Sequence, residues 1–533
     1  MTPMPAAPAP QGRVRLSWSV TLQFKLAALG VLAFWLWVWR IPIWSHDDLG
    51  FANRSREHFG GIVWGRLGHF AWDDLMHRNG RLADMVVQFV MSTRGFIGPL
   101  VALVCASQVW ALWLLLREVA VASSDRKTSQ AVWAMILIAG LALPMTLVGI
   151  DEALAGNTVM FLSATVGYIG GAALACLGLV AIMRLPGSQS WVRSVWTVLL
   201  VIAAGLHHEL IALMMVGAVA ALVVTVPSDR RSVPFLASSV LIIVASLARY
   251  GAGGLWARQA RIGAPFDHQE LGAVHRLLPY AAHSLSESTG RYGGVYLMAL
   301  LGVVCLGLVA DRQGQQRSRI ALGLVVVAAV LVAGVAARVR FLAHRSGKTL
   351  AVYSSSTSVL LVLAMVVVVL AGAVVCWQAR RVAGGVQAGA VYGAAAGALA
   401  VPAALGVPGG RTFYLALFMM LIWVVTAALV SGQAAAGKAV SWCSLLLLAA
   451  VIGPAIHAAP KLVTAVDANV RAWAPSLKQI EQVRQGKRDT ITVPKQLPAP
   501  LYASDYFALH TKYYQPRLMF YYDLPESTPV LRR

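Results

Sequence analysis

Two aspartates, Asp47 and Asp48, stand beside His46 directly after a long apolar run, in "IPIWSHDDLGF" (41–51). A carboxylate at such an edge has three ordinary uses: it caps a helix N-terminus, pairs with an arginine, or serves as a base or metal ligand. Two adjacent acids raise the pKa of at least one of them, which suits a general base. Other chemistry-bearing residues lie in the same setting. Asp151 and Glu152 open "DEALAGN"; they either cap or pair with Arg81, or belong to a site. His207, His208 and Glu209 lie in "GLHHELI". That triplet is no H-E-x-x-H zinc site, because ligands sharing a helix face sit three or four residues apart. His208 and Glu209 can still meet Asp47 across a cavity. A divalent cation, Mg or Mn, held by Asp47, Glu209 and water therefore stays open as a cofactor. The five cysteines fall inside apolar runs without C-x-x-C spacing, which leaves no disulfide framework and no zinc site.

The elements that must position these residues are membrane spans. Of the 533 residues 58% are apolar and 12% charged, against roughly a quarter charged in soluble proteins. Apolar runs of about 18–25 residues recur, each long enough to cross a bilayer core. They are placed at 22–41, 97–117, 131–150, 160–183, 194–226, 232–248, 291–310, 319–337, 352–376, 386–405, 411–432 and 440–458. The fold class is an all-α polytopic membrane protein with about 11–13 transmembrane helices. It divides into a cytoplasmic tail (1–21), a transmembrane domain (22–458) and an extracytoplasmic appendage (459–533), where "APSLKQIEQVRQGKRDTITVPKQLPAP" reads as a helix, a turn and a short strand. The first apolar stretch is a retained span, too long for a signal-peptide core. The first outer loop (42–96) carries amphipathic interfacial helices, with Trp72 as an anchor and Asp73–Asp74 on the solvated face.

Lys and Arg accumulate in cytoplasmic loops, and this fixes the sides. Arg13, Arg15 and Lys25 place the N-terminus in the cytoplasm. Arg126 and Lys127, Arg184 and Arg193, and Arg230 and Arg231 follow on that side only if 194–226 goes out and back, as two short helices or a re-entrant pair. His207, His208 and Glu209 then form its outward tip. The C-terminus is extracytoplasmic. Cytoplasmic loops account for much of the +22 net charge, so no nucleic-acid partner is needed. Arg338, Arg340, Arg345 and Lys348 fall on the outer face against the rule, and their ligand is either a substrate phosphate or lipid headgroups. Arg249, Trp256, Arg258 and Arg261 read as basic anchors of an interfacial helix. "GAVYGAAAGALA" (389–400) reads as close helix packing rather than phosphate binding.

The ordered set resembles the GT-C superfamily of multi-pass glycosyltransferases, and more closely a group of bacterial GT-C-like membrane proteins. The residues that carry the resemblance are "DD" at Asp47–Asp48, Trp72 with "NGR" at Asn79–Arg81, and "DEALAGN" with downstream Tyr168. "G..HE" at 205–209, "P..GR" ending in Arg411 and "YY" near the C-terminus complete it. It spans most of the chain and departs at "HHE", where an asparagine often precedes the glutamate. The resemblance implies a bacterial plasma-membrane transferase. It would move a sugar from a polyprenyl-phosphate donor to an envelope glycan, lipid or protein, with inversion at the anomeric carbon. It implies Asp47 as general base and Asp48 as its orienting or acceptor-binding neighbour. It implies Arg338, Arg340, Arg345, Lys348 and Arg411 on the donor phosphate. His46, Arg81, Asp151, Glu152, Tyr168, His208 and Glu209 would bind substrate or support the site. The rival readings are a transporter or lipid flippase, which calls for mid-span charges and an internal repeat, and a non-catalytic scaffold.

Overall fold

The computed structural model describes residues 18–43, 48, 50–51, 64–78, 80–93, 96–123, 129–251, 253, 273–312, 319–320, 322–327, 329–330, 333–334, 337, 355–405, 410–434, 438–502, 515–525 and 527–532. The chain is almost entirely helical, and among the described residues nine helices are long and apolar enough to cross a membrane. It is a polytopic helical protein. In the expected span 319–337 the described residues, 319–320, 322–327, 329–330, 333–334 and 337, are helical.

Helix α1 (Trp18–Val38) lies at the periphery, with Leu22, Leu26 and Leu29 exposed. The short helices α2 (Trp64–Asp73) and α3 (Ala83–Ser92) follow, then α4 (Ile97–Ser123), α5 (Gln130–Ile150) and α6 (Leu162–Met183). The awkward segment 194–226 is a helical hairpin, α7 (Trp191–His207) and α8 (Glu209–Thr225). The Gly187 N–H donates to the Arg230 carbonyl at 2.8 Å, and the Ser232 hydroxyl to the Ser188 carbonyl at 2.7 Å. The two ends of the hairpin are thus tied together, and the chain goes out and comes back. Each arm is about 25 Å long at 1.5 Å per residue, close to a hydrocarbon core.

Helix α9 (Val233–Ala248) starts on a Ser232 cap with Pro234 in its first turn, the position where a missing N–H costs nothing. Then come α10 (Ala273–Arg312), kinked at Tyr292, α11 (Ser355–Ala379) and α12 (Gly385–Leu405). Helix α13 (Gly410–Gln433) is apolar all round and buried from Phe413 to Val430, so it forms the bundle's centre. Helices α8 and α12 run antiparallel, Gly217 against Gly393 and Leu213 against Gly397. A Cβ on Gly393 would stand 2.2 Å from the Gly217 carbonyl oxygen. The glycine-rich stretch is a close helix crossing.

Helix α14 (Lys438–Arg484) has 47 residues, about 70 Å. It runs through the expected domain boundary at 458/459 without a break, despite Pro454, Pro460 and Pro475. A turn at Gly486 (φ 67°) leads to strand β1 (Ile491–Val493). After α15 (Gln515–Tyr522), strand β2 (Val530–Arg532) pairs with β1 in parallel. The tail folds back on α14: Asn469 exchanges two hydrogen bonds with the Ala499 backbone, and the Ser476 hydroxyl donates to the Thr492 carbonyl.

Ion pairs mark the two ends of the bundle. At one end Arg40 meets Asp467 at 2.9 Å, and Glu152 meets Lys461. At the other, Arg184 meets Glu118, and Arg319 meets Asp311 at 3.0 Å.

Candidate functional site

The site begins with a turn. After α2 the chain makes one π-helical turn, Asp74–Arg78, which the Gly80 N–H closes by donating to the Asp74 carbonyl at 2.7 Å. Gly80 holds φ 69°, the left-handed geometry that a side chain disfavours. This turn sends the next residue, Arg81, back toward the tip of the α7–α8 hairpin. There the Leu82 N–H donates to the Leu206 carbonyl at 2.9 Å.

At that tip His208 is extended (φ −148°, ψ 131°) and breaks the hairpin into two helices. Its Nδ1 accepts from the Leu210 N–H at 3.3 Å, so it is the N-cap of α8. Glu209 is the first residue of α8 and is buried. Arg81 grips it with both arms: Nε donates to Oε2 at 2.6 Å, and Nη2 donates to Oε1. Burial alone would lower the Arg81 pKa. The Glu209 carboxylate outweighs it, and the net shift is upward, so the guanidinium stays charged. The Tyr250 hydroxyl donates to the Glu209 carbonyl at 2.6 Å.

The wall opposite comes from an irregular stretch before and within α6. Residues Ala155–Val159 and Thr165–Ile169 are π-helical, a geometry frequent at functional sites. The widened second turn presents Tyr168 to the tip. Its ring lies 4.9 Å from that of His208, and the Arg81 guanidinium stands 5.9 Å from the Tyr168 ring. His207 Nε2 sits 3.1 Å from the Val166 carbonyl. Asp48, fully buried, accepts the Ser163 N–H at 2.9 Å, at the start of α6. Of its three ordinary uses, capping is therefore in place. Removing that acceptor in Asp48→Ala should cost about 1–2 kcal/mol, the range of a lost helix cap. Chemical unfolding of the purified protein in detergent reads it.

The structure thus brings Asp48, Arg81, Tyr168, His208 and Glu209 to one end of the bundle. Asp151 and Glu152 lie at the same end but do not meet Arg81. Asp151 accepts from Arg291 at 3.0 Å and from the Tyr292 hydroxyl at 2.7 Å, and its own side chain accepts the Ala153 N–H at 3.2 Å. Glu152 pairs with Lys461. The pairing with Arg81 fails because Glu209 has taken both arms of that guanidinium. Asp74 also departs from expectation: it is buried rather than on a solvated face, while Asp73 bridges to His77 at 3.2 Å. His46, Asp47, Arg338, Arg340, Arg345 and Lys348 lie outside the described residues. Arg411 lies in the first turn of α13.

Tyr250 escaped the sequence reading, while its neighbour Arg249 was read as a basic anchor of an interfacial helix. The signal for Tyr250 was an aromatic residue directly after a charged one at the end of the apolar α9. Among the described residues no group of three or more His, Cys, Asp or Glu could hold a metal ion. Both Glu209 oxygens are engaged by Arg81. No protein-family model, curated protein or solved structure matches the chain.

Proposed function

We propose that the chain is a bacterial plasma-membrane glycosyltransferase of GT-C type. It transfers a sugar from a polyprenyl-phosphate donor to an envelope glycan, lipid or protein at the bundle end that holds Arg81 and Glu209. The observation that carries the reading is the gathering of Asp48, Arg81, Tyr168, His208 and Glu209 on irregular helix ends at one side. Such a lipid-linked substrate keeps its tail in the bilayer and presents its sugar at an interface. A transporter would instead place ionisable groups halfway along its spans. Outside α14, whose Lys461, Asp467 and Arg471 follow its apolar first half, the charged side chains of the described spans stay near the ends, with Lys25 of α1 the deepest.

In the proposed reaction Asp47 takes the proton of an acceptor hydroxyl. The resulting oxygen attacks the anomeric carbon, the bond from that carbon to phosphate oxygen breaks, and lipid phosphate leaves with inversion. Asp48 is anchored on the Ser163 N–H at the start of α6. Arginines stabilise the leaving phosphate through their planar forks. The opposite end carries Arg184, Arg193, Arg230, Arg231, Arg380 and Arg381. This supports placing that end in the cytoplasm and the site outside.

Complementation of a deletion strain tests the reading, with mass spectrometry of lipid-linked sugars and envelope glycans. Wild type should restore a missing sugar. Asp47→Asn should lower its transfer by about 10²-fold, the lower bound for losing a general base, with the donor accumulating. Full restoration by Asp47→Asn at normal expression would remove the central residue of the mechanism.

A further inference from the structure

Spacing along the chain pairs none of the five cysteines, yet the fold brings two of them together. Helices α10 and α14 pack against each other. Cys305 of α10 and Cys443 of α14, both as thiols, lie in hydrogen-bonding contact. Cys305 is buried, whereas Cys443 is partly open. Two thiols in contact form the arrangement in which oxidation of one is captured by the other.

The pair sits within the apolar part of both helices. Cys305 is seven residues before Arg312, the end of α10, and Cys443 is five residues after Lys438, the start of α14. Each therefore lies about 8–10 Å along its helix from the end. The seam around the pair is apolar and faces outward. Leu301 and Leu308, one turn either side of Cys305, are 45% and 38% exposed, and Trp442, Leu445 and Leu446 beside Cys443 are more exposed still. In a bilayer such a surface meets lipid tails. A reagent reaches Cys443 through hydrocarbon, where a charged thiol such as glutathione does not follow, because its charges cost too much to desolvate.

We infer that Cys305 and Cys443 are a modification site, a dithiol that a hydrophobic organic hydroperoxide converts into a disulfide joining α10 to α14. The Cys443 sulfur attacks the terminal peroxide oxygen and the O–O bond breaks. The Cys443 thiol proton goes to the leaving alkoxide, which departs as an alcohol, and Cys443 is left as a sulfenic acid. The Cys305 sulfur then attacks the Cys443 sulfur. Hydroxide leaves, takes the Cys305 thiol proton and becomes water as the S–S bond forms. Two thiols are oxidised and one peroxide bond is reduced. The site stands whether or not the chain transfers a sugar. It joins the two helices that hold the acids of the far end, Asp151 through Arg291 and Tyr292 of α10, and Glu152 through Lys461 of α14.

Full-length protein in phosphatidylglycerol vesicles tests the site, treated with cumene hydroperoxide or with hydrogen peroxide at equal concentration. Remaining thiols are blocked with N-ethylmaleimide after denaturation, and mass spectrometry of the digest locates the crosslinks. Cumene hydroperoxide should give a Cys305–Cys443 peptide pair, about 2 Da lighter than the two thiol peptides together and separated by dithiothreitol. Hydrogen peroxide should give at least about tenfold less, because the cumyl group carries its reagent into hydrocarbon. Cys305→Ser should stop the oxidation at a Cys443 sulfenic acid, which dimedone traps, and Cys443→Ser should leave Cys305 unoxidised. The wild-type measurement stands by itself if either variant fails to fold. No crosslinked pair with cumene hydroperoxide, equal yields from the two peroxides, crosslinks of Cys105, Cys176 or Cys376 in equal yield, or oxidised Cys305 in folded Cys443→Ser would overturn the inference.

Discussion

Arg81→Met should destabilise the protein by about 3–5 kcal/mol, the cost of leaving one partner of a buried ion pair alone. The pair qualifies: the side chains of Arg81 and Glu209 are 12% and 3% exposed, and both carboxylate oxygens are engaged. An exposed pair would be worth below about 1 kcal/mol, so the two cases separate well. The stranded group would be the Glu209 carboxylate at the N-terminus of α8. Partial relief is available there, because a helix start favours negative charge. Glu209→Gln keeps two hydrogen-bonding atoms and should lose less. The double variant Arg81→Met with Glu209→Met should lose less than Arg81→Met alone, since no buried charge remains. Unfolding midpoints in detergent of wild type, Arg81→Met, Glu209→Met and the double variant give the cycle, with Glu209→Gln measured beside them. A loss below 1 kcal/mol in Arg81→Met would mean that the pair is solvated and does not fix the hairpin tip.

The membrane class and the helices were legible in the sequence because composition and apolar run length state them directly. The α7–α8 hairpin was legible for a subtler reason. Arg184, Arg193, Arg230 and Arg231 had to share a side, and only an excursion out and back satisfies that. The partners within the site were not legible. Arg81 and Glu209 are 128 positions apart, and Asp151 meets Arg291 rather than Arg81, choices made by packing between helices that no local pattern encodes. Asp74 looked solvated because it belongs to an amphipathic stretch. It stands at the start of the π-helical turn Asp74–Arg78 and is buried there. The β1–β2 pairing was invisible as well, since two three-residue strands far apart in sequence carry no joint signal.

Gly393→Ala should cost about 3 kcal/mol or more, the upper end of overpacking penalties, although it adds a single methyl group. The added carbon would lie 2.2 Å from the Gly217 carbonyl oxygen and 2.8 Å from the Ala221 Cβ. No rotamer change relieves a clash with backbone, so α8 and α12 must part by about 1 Å. Gly217→Ala meets the Gly393 carbonyl oxygen at 2.0 Å from the other side and should behave alike. Gly30→Ala in α1 is the control, because nothing lies within 4 Å of its new carbon. Removing a helical glycine there should stabilise by up to about 1 kcal/mol. Thermal unfolding in detergent compares the three, and a Gly393→Ala protein as stable as Gly30→Ala would refute the close crossing. The same displacement bears on the site. Helix α8 begins at Glu209, and α12 is what clamps it along its length. Parting the two helices therefore moves the carboxylate that Arg81 grips. If a Gly393→Ala protein can be isolated folded, the proposed sugar transfer should fall further than the stability loss alone explains, because the hairpin tip is positioned from a glycine crossing two turns below it.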